Sequence, residues 1–245
     1  MQLLYGFLLA LLIAFLAYRA HSLNKSGALA AIIVGTIIFG VGGWQWAVLL
    51  LTFFITSSGL SRAFKKQKTK LEEKYSKGHE RDAGQVFGNG GIAALFALLH
   101  GFFPAALWPW LGFAAALAAV NADTWATELG VLNPHPPRMI TNLSKQVEKG
   151  TSGGISLVGT FASLAGSALI ALLAVLLSPT DNLSLITDHP STSLWAGWLL
   201  ITFSGLAGSL FDSLLGATVQ AIYFCPKDQK ETERHPLHTC GTETI

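Results

Sequence analysis

What most constrains this chain is the separation of its apolar runs from its positive charges. Long apolar stretches recur along the 245 residues, and all 16 Lys and Arg fall in the gaps between them or at their ends. A helix crossing hydrocarbon needs about 20 mainly apolar residues. Seven runs approach that length, at about 3–18, 27–42, 44–61, 84–103, 105–127, 153–177 and 194–223. The second and third meet at Gly42-Gly43, which suits a tight hairpin, and the last is long enough to tilt or kink. Only 12% of residues are charged, about half the usual share in soluble domains. The expected fold is therefore all-α: one membrane helix bundle over residues 1–224, with a polar tail over 225–245. The run at 3–17 has neither a basic leader nor a small-residue cleavage pattern, so it reads as a membrane helix rather than a signal peptide. A net charge of +2 gives no reason to look for a nucleic-acid partner.

The gaps also set an orientation. Loop 62–81 holds Arg62, Lys65, Lys66, Lys68, Lys70, Lys74, Lys77 and Arg81, and the positive-inside rule makes it cytoplasmic. Threading outward places every other Lys and Arg on that same side. Loop 178–193, with Asp181 and Asp188, falls outside. The expected topology is N-terminus out and C-terminus in, in the cell membrane of a prokaryote. The lysines of 65–77 are read as setting topology or touching anionic lipid.

Against this background the acids stand out. Asn121-Ala122-Asp123-Thr124-Trp125-Ala126-Thr127-Glu128-Leu129-Gly130 follows an apolar run, and Asp212 lies inside the seventh. A carboxylate at the centre of a membrane helix costs about 2.5–3.5 kcal/mol on insertion scales, and chains keep such groups to bind ions, relay protons or pair with cations. Asn121, Thr124 and Glu128 share one helix face. Asp123 does not, because five residues span about 140° of rotation. Both acids meet one ion only if the helix loosens near Trp125 or a neighbour approaches from the other side.

Three more clusters fall on the same membrane face. Asp82, Gln85 and Asn89 share one helix face beside Arg81; Asp82 could equally cap its helix or pair with Arg81. Gly150-Thr151-Ser152-Gly153-Gly154 opens the sixth run. A glycine-rich helix N-terminus presents free N–H groups suited to phosphate, although Thr151 or Ser152 could simply cap it. Gly205, Ser209, Asp212, Gly216 and Gln220 form a small, polar stripe that also suits close helix packing. Carboxylates hold Mg²⁺, Mg²⁺ bridges phosphates, and cations neutralise the remaining charge. The cation candidates are Lys25, Arg81, Arg138, Lys145 and Lys149. His21, His79, His100, His135 and His189 are scattered, and no Ser-His-Asp or Cys-His arrangement emerges.

The motifs Ser26-Gly27-Ala28 with Val34-Gly35-Thr36, Arg81-Asp82-Ala83-Gly84-Gln85-Val86 with Asn89-Gly90-Gly91, the 121–130 stretch, 150–156, and Asp212-Ser213-Leu214-Leu215-Gly216-Ala217-Thr218-Val219-Gln220 occur in order over most of the chain. In them the chain resembles the integral membrane family called domain of unknown function 92, or transmembrane protein 19, which includes plant and cyanobacterial phytyl-phosphate kinases. The resemblance implies CTP-dependent phosphorylation of a prenyl monophosphate to its diphosphate. In that reading Asp123, Glu128 and Asp212 hold Mg²⁺ and Asp82 joins them in catalysis. Arg81, Gln85, Asn89, Asn121, Lys145, Lys149, Thr151, Ser152, Gly153 and Gly154 bind nucleotide or lipid phosphate. A lipid-phosphate cytidylyltransferase would use the same parts. An ion-coupled transporter would use the acids as a pathway, but the polar groups gather at one face and no inverted repeat emerges. Family chains usually continue into a further helix with an Asn-Asp motif, whereas this sequence stops at Ile245.

In the tail, Cys225, His238 and Cys240 are acceptable zinc ligands. The resemblance suggests a four-ligand knuckle, with Asp228 standing where the family pattern has a second Cys. His235 is another candidate for the fourth ligand, and a polar tail with two idle thiols is the alternative.

Overall fold

The computed structural model describes residues 1–64, 80–178, 190–232, 235–237 and 240–245. Among the described residues there are seven long helices: α1 Gln2–Arg19, α2 Lys25–Ile37, α3 Trp44–Ala63, α4 Ala83–Phe102, α5 Trp108–Gly130, α6 Leu157–Leu176 and α7 Pro190–Thr218. A π-helical turn, Ile38–Gly42, extends α2, and Gly43 at φ +89° turns the chain straight into α3. A side chain is strained at such a φ, which accounts for glycine at this hairpin. Lys65 to Lys77, the basic core of the long loop, lie outside the described residues.

Among the described residues, six helical segments are long and apolar enough to cross a membrane, the second being α2 with its π turn. The segment outside that set is α5. Its C-terminal third holds Asn121, Asp123 and Glu128, which lower its hydropathy. Packing shows why this is tolerated. α5 touches α3, α4, α6 and α7, so partners rather than lipid surround it. Leu, Phe and Trp side chains cover the outer surfaces of the other helices, including Leu8, Leu12, Ile33, Ile55, Phe161 and Phe203. An apolar exterior of this kind suits a bilayer.

Small residues repeating every four positions let α5, α6 and α7 approach closely. α5 carries Ala114, Ala118, Ala122 and Ala126, α6 carries Gly159, Ser163, Ser167 and Ala171, and α7 carries Gly205 and Ser209. A Cβ on Gly205 would stand 2.9 Å from both the Ala118 backbone carbon and its Cβ. In a bilayer, such close packing drives helix association. Polar groups add to it. Asn121 donates to the Gly166 carbonyl at 2.8 Å and accepts from Thr56 at 3.1 Å, and Ser167 donates to the Thr202 carbonyl. At one end Trp46, Trp110 and Phe113 form a buried aromatic cluster, with Trp46 and Phe113 centroids 4.5 Å apart.

Between α5 and α6, β1 Arg138–Met139, β2 Asn142–Gln146 and β3 Gly154–Ile155 form a small antiparallel sheet in the order β2-β1-β3. In the tail, β4 Tyr223–Cys225 pairs antiparallel with β5 Lys230–Thr232. Ile245 closes back on Phe224 through two backbone hydrogen bonds of 2.7 and 3.1 Å.

Candidate functional site

A cavity of about 310 Å³ lies where the C-terminal ends of α5 and α7 meet the segment entering α6. α5 contributes Asp123 and Thr127, α7 contributes Ser209, Asp212 and Gly216, the turn after α7 contributes Gln220, and the segment entering α6 contributes Lys149 to Ser156. The i, i+4 relation sets Asp123 and Thr127 on one face, just as it does Ser209 and Ser213. Ser209 is buried and donates to Asp123 Oδ1 at 3.5 Å, a long contact. Asp212, expected from the sequence to be a buried acid, is exposed at the cavity mouth.

The helix-end seat for phosphate needs correction. Thr151, Ser152, Gly153 and Gly154 do not form the first turn of α6. Gly154 begins β3, α6 starts at Leu157, and Ser156 caps it by accepting from Gly159 N at 3.1 Å. Glycine is needed here for packing. Gly153 has φ +76°, and a Cβ there would lie 2.3 Å from the Ala217 Cβ. The loop is thus pressed onto α7, and Ser152 Oγ donates to Gln220 Oε1 at 2.9 Å. Lys149 Nζ donates to the carbonyls of Val131 at 3.0 Å and Asn133 at 2.5 Å. A lysine at a helix C-terminus suits the dipole, and it binds this loop to the end of α5.

The other candidates lie elsewhere. Glu128 faces away from the cavity, as the five-residue spacing predicts for an unbroken helix. It is 6% exposed and accepts from Ser61 Oγ at 2.7 Å. Asn121 is spent on helix–helix bonds. Asp82 and Gln85 form a capping box at the start of α4, with Asp82 Oδ1 accepting from Gln85 N at 2.8 Å and Gln85 Oε1 from Asp82 N at 3.1 Å. Asn89 borders an apolar groove on the α1–α4 side. Lys145 stands exposed on β2. Arg81 donates to Ser58 Oγ at 2.9 Å and lies over the rings of Phe53 and Phe54 at 6.0 and 5.7 Å. Burial lowers the pKa of its guanidinium, and the Glu128 carboxylate opposes that shift.

Sequence reasoning missed Thr127, Ser163 and Ser213 as cavity residues. Helical spacing from Asp123 and Ser209 could have found the first and last. Ser163 gave no signal of its own. It is 2% exposed, and its Oγ has no hydrogen-bond partner among the described residues. A buried hydroxyl bordering a polar cavity without a partner suits a site that receives a polar ligand. Two carboxylates with hydroxyls and open space also fit Mg²⁺, which takes one or two carboxylates plus phosphate oxygens.

In the tail, ligand atoms of Cys225, Asp228 and Cys240 lie within 4.8 Å of one another. The two sulfurs are 3.5 Å apart, with no disulfide between them. His238 lies outside the described residues. His235 stacks on Tyr223 at 4.5 Å and meets Thr244 Oγ1 at 3.4 Å.

The molecule is thus a polytopic helical membrane protein with a polar, acidic cavity at one end of its bundle. The chain belongs to the DUF92 family of integral membrane proteins, whose family model matches residues 8–244. It is 33% identical over 245 residues to protein PGR of Arabidopsis thaliana, covering 91% of this chain and 81% of that one. It is also 33% identical over 220 residues to an uncharacterized membrane protein of Methanocaldococcus jannaschii, covering 88% and 82%. A third relative, an uncharacterized membrane protein of Synechocystis, is 30% identical over 190 residues, covering 77% and 68%. No solved structure matches.

Proposed function

We propose that the protein is a membrane phosphotransferase that moves the terminal phosphoryl group of a nucleoside triphosphate, CTP by family resemblance, onto a prenyl monophosphate. The observation supporting this reading most is the convergence of Asp123, Asp212 and the Lys149–Gly154 segment, three remote stretches, on one cavity at the headgroup end of the bundle. In the reaction, a non-bridging oxygen of the lipid phosphate forms a bond to the terminal phosphorus. The bond from that phosphorus to the β-phosphate bridging oxygen breaks, and the nucleoside diphosphate leaves. Mg²⁺, held by Asp123 and Asp212, would neutralise and align the phosphate oxygens. Lys149, already fixed to the α5 end, adds positive charge beside them. The Ser163 hydroxyl, which has no partner among the described residues, supplies a donor. In this reading the cavity opens on the cytoplasmic side of a prokaryotic cell membrane, where nucleotide is available.

Purified protein in lipid nanodiscs with Mg²⁺, labelled CTP and phytyl or geranylgeranyl phosphate tests the reading. Lipid diphosphate with CDP is the expected product pair. CDP-lipid with pyrophosphate would replace the kinase by a cytidylyltransferase. No product across prenyl phosphates and nucleotides would overturn the phosphotransferase reading.

The tail carries a separate proposal. Tetrahedral zinc with sulfur ligands at about 2.3 Å separates two sulfurs by about 3.8 Å, close to the 3.5 Å between Cys225 and Cys240. Asp228, in the β4–β5 turn, supplies a carboxylate beside them, so the set provides three of the four ligands that a structural zinc takes. Stoichiometric zinc in purified protein, lost in Cys225→Ser and Cys240→Ser, is expected. Metal-free protein with two reactive thiols would reject it.

A further inference from the structure

Across α5 from the acidic cavity lies a second polar pocket, of about 140 Å³, lined by His21, Ser22, Ser58, Ser61, Arg62 and Arg81. Its two arginines are held firmly. Arg81 N donates to the Ser22 carbonyl at 3.0 Å, and the Arg81 carbonyl accepts from Asn24 N at 3.1 Å. Those bonds knit the α1–α2 turn to the start of α4. Arg62 Nη2 donates to the Ala20 carbonyl at 2.5 Å and to Ser22 Oγ at 2.7 Å. One carboxylate, Glu128, acts on Arg81 from α5. Glu80 at the rim is paired with His21 at 2.7 Å. Among the described residues lining it, two guanidiniums therefore answer to one buried carboxylate, leaving the pocket positive, with three serine hydroxyls as further hydrogen-bonding groups.

Arg81 also borders the apolar groove between α1, α2, α3 and α4. This groove has a volume of about 80 Å³ and is lined by residues such as Ala14, Ala17, Ala31, Leu51 and Phe53. A cationic pocket and an apolar groove thus share one side chain at the end of a membrane bundle. Arginine matches phosphate with paired N–H donors, and an alkyl chain fills an apolar groove. A free anion would satisfy the pocket alone; an amphiphile satisfies both.

We propose that this pair of cavities is a binding site for a single-chain lipid phosphate, separate from the acidic cavity. The phosphate lies between Arg62 and Arg81, and the first carbons of the chain occupy the groove. The remainder of the chain extends into the bilayer. The proposal concerns binding and does not depend on the phosphotransferase reading.

The test measures binding by thermal shift and titration in detergent with EDTA, so that no Mg²⁺ draws phosphate into the acidic cavity. The probes are farnesyl phosphate, inorganic phosphate and farnesol. Farnesyl phosphate should stabilise the wild type, and the other two should bind at least tenfold more weakly. Arg81→Gln and Arg62→Gln should each raise the farnesyl phosphate Kd at least tenfold. Lys227→Gln, an exposed cation of the tail away from both pockets, should leave it within twofold. Ala31→Phe, which narrows the groove, should weaken farnesyl phosphate and spare inorganic phosphate. If Arg81→Gln does not fold, Arg62→Gln and Ala31→Phe carry the test. Equal binding of inorganic phosphate would remove the groove from the site. An unchanged Kd in both Arg62→Gln and Arg81→Gln, or no binding by wild type, would overturn the proposal.

Discussion

Asp123 and Glu128 sit five residues apart on α5, yet they face opposite halves of the molecule. Asp123 opens onto the α6–α7 side, where small residues, a loop and Asp212 leave room for a ligand. Glu128 turns to the α3 side, where Ser61 and Arg81 take up its charge. The difference shows how one regular helix can carry an acid available for chemistry and another engaged by the protein itself. Carboxylates in membrane helices are costly in either setting. They are kept on one side by a proposed ligand and on the other by fixed partners.

The strongest way to break this comparison is to neutralise the cavity. Asp123→Asn or Asp212→Asn should reduce phosphoryl transfer about 100-fold or more, the scale of losing a charge-stabilising group in a site. Thermal unfolding should barely change. Near wild-type turnover in both would show that the cavity is not the reacting site. Glu128→Gln should do the reverse. It removes the anionic partner of Ser61 and Arg81 and should cost about 1–3 kcal/mol of stability, read by unfolding in detergent. Activity per folded molecule should stay within a few-fold of wild type. A 100-fold loss of turnover in stable Glu128→Gln protein would merge the two sides into one site. The smallest effect belongs to Asp82→Ala. Losing its capping box should lower stability by about 1 kcal/mol, with no change in nucleotide KM. A raised KM would return Asp82 to the site.

Gly153 shows how a motif can be legible while its reason is not. The sequence suggested glycine for close approach of phosphate. The structure gives a nearer cause, the contact with Ala217 and the positive φ. A bulky Gly153 variant would therefore disturb α7 packing whether or not phosphate binds, and cannot report on phosphate by itself.

The sequence alone determined the class of the molecule. Apolar runs, the gathering of Lys and Arg into certain gaps, and the few acids that interrupt the runs require a membrane bundle with its polar groups at one end. These properties follow from transfer free energies, which each segment carries with it. The 140° between Asp123 and Glu128 was equally legible, because helix geometry is local. What the sequence could not decide was which neighbour each face meets. That Lys149 ties down α5, that Ser163 borders the cavity, and that Arg62 and Arg81 share a pocket depend on close approach between helices remote in sequence. The short sheet before α6 escaped notice because its strands are two to five residues long and leave no clear periodic pattern. Tertiary packing decided these points, since small residues permit many helix pairings and only the assembled bundle selects one.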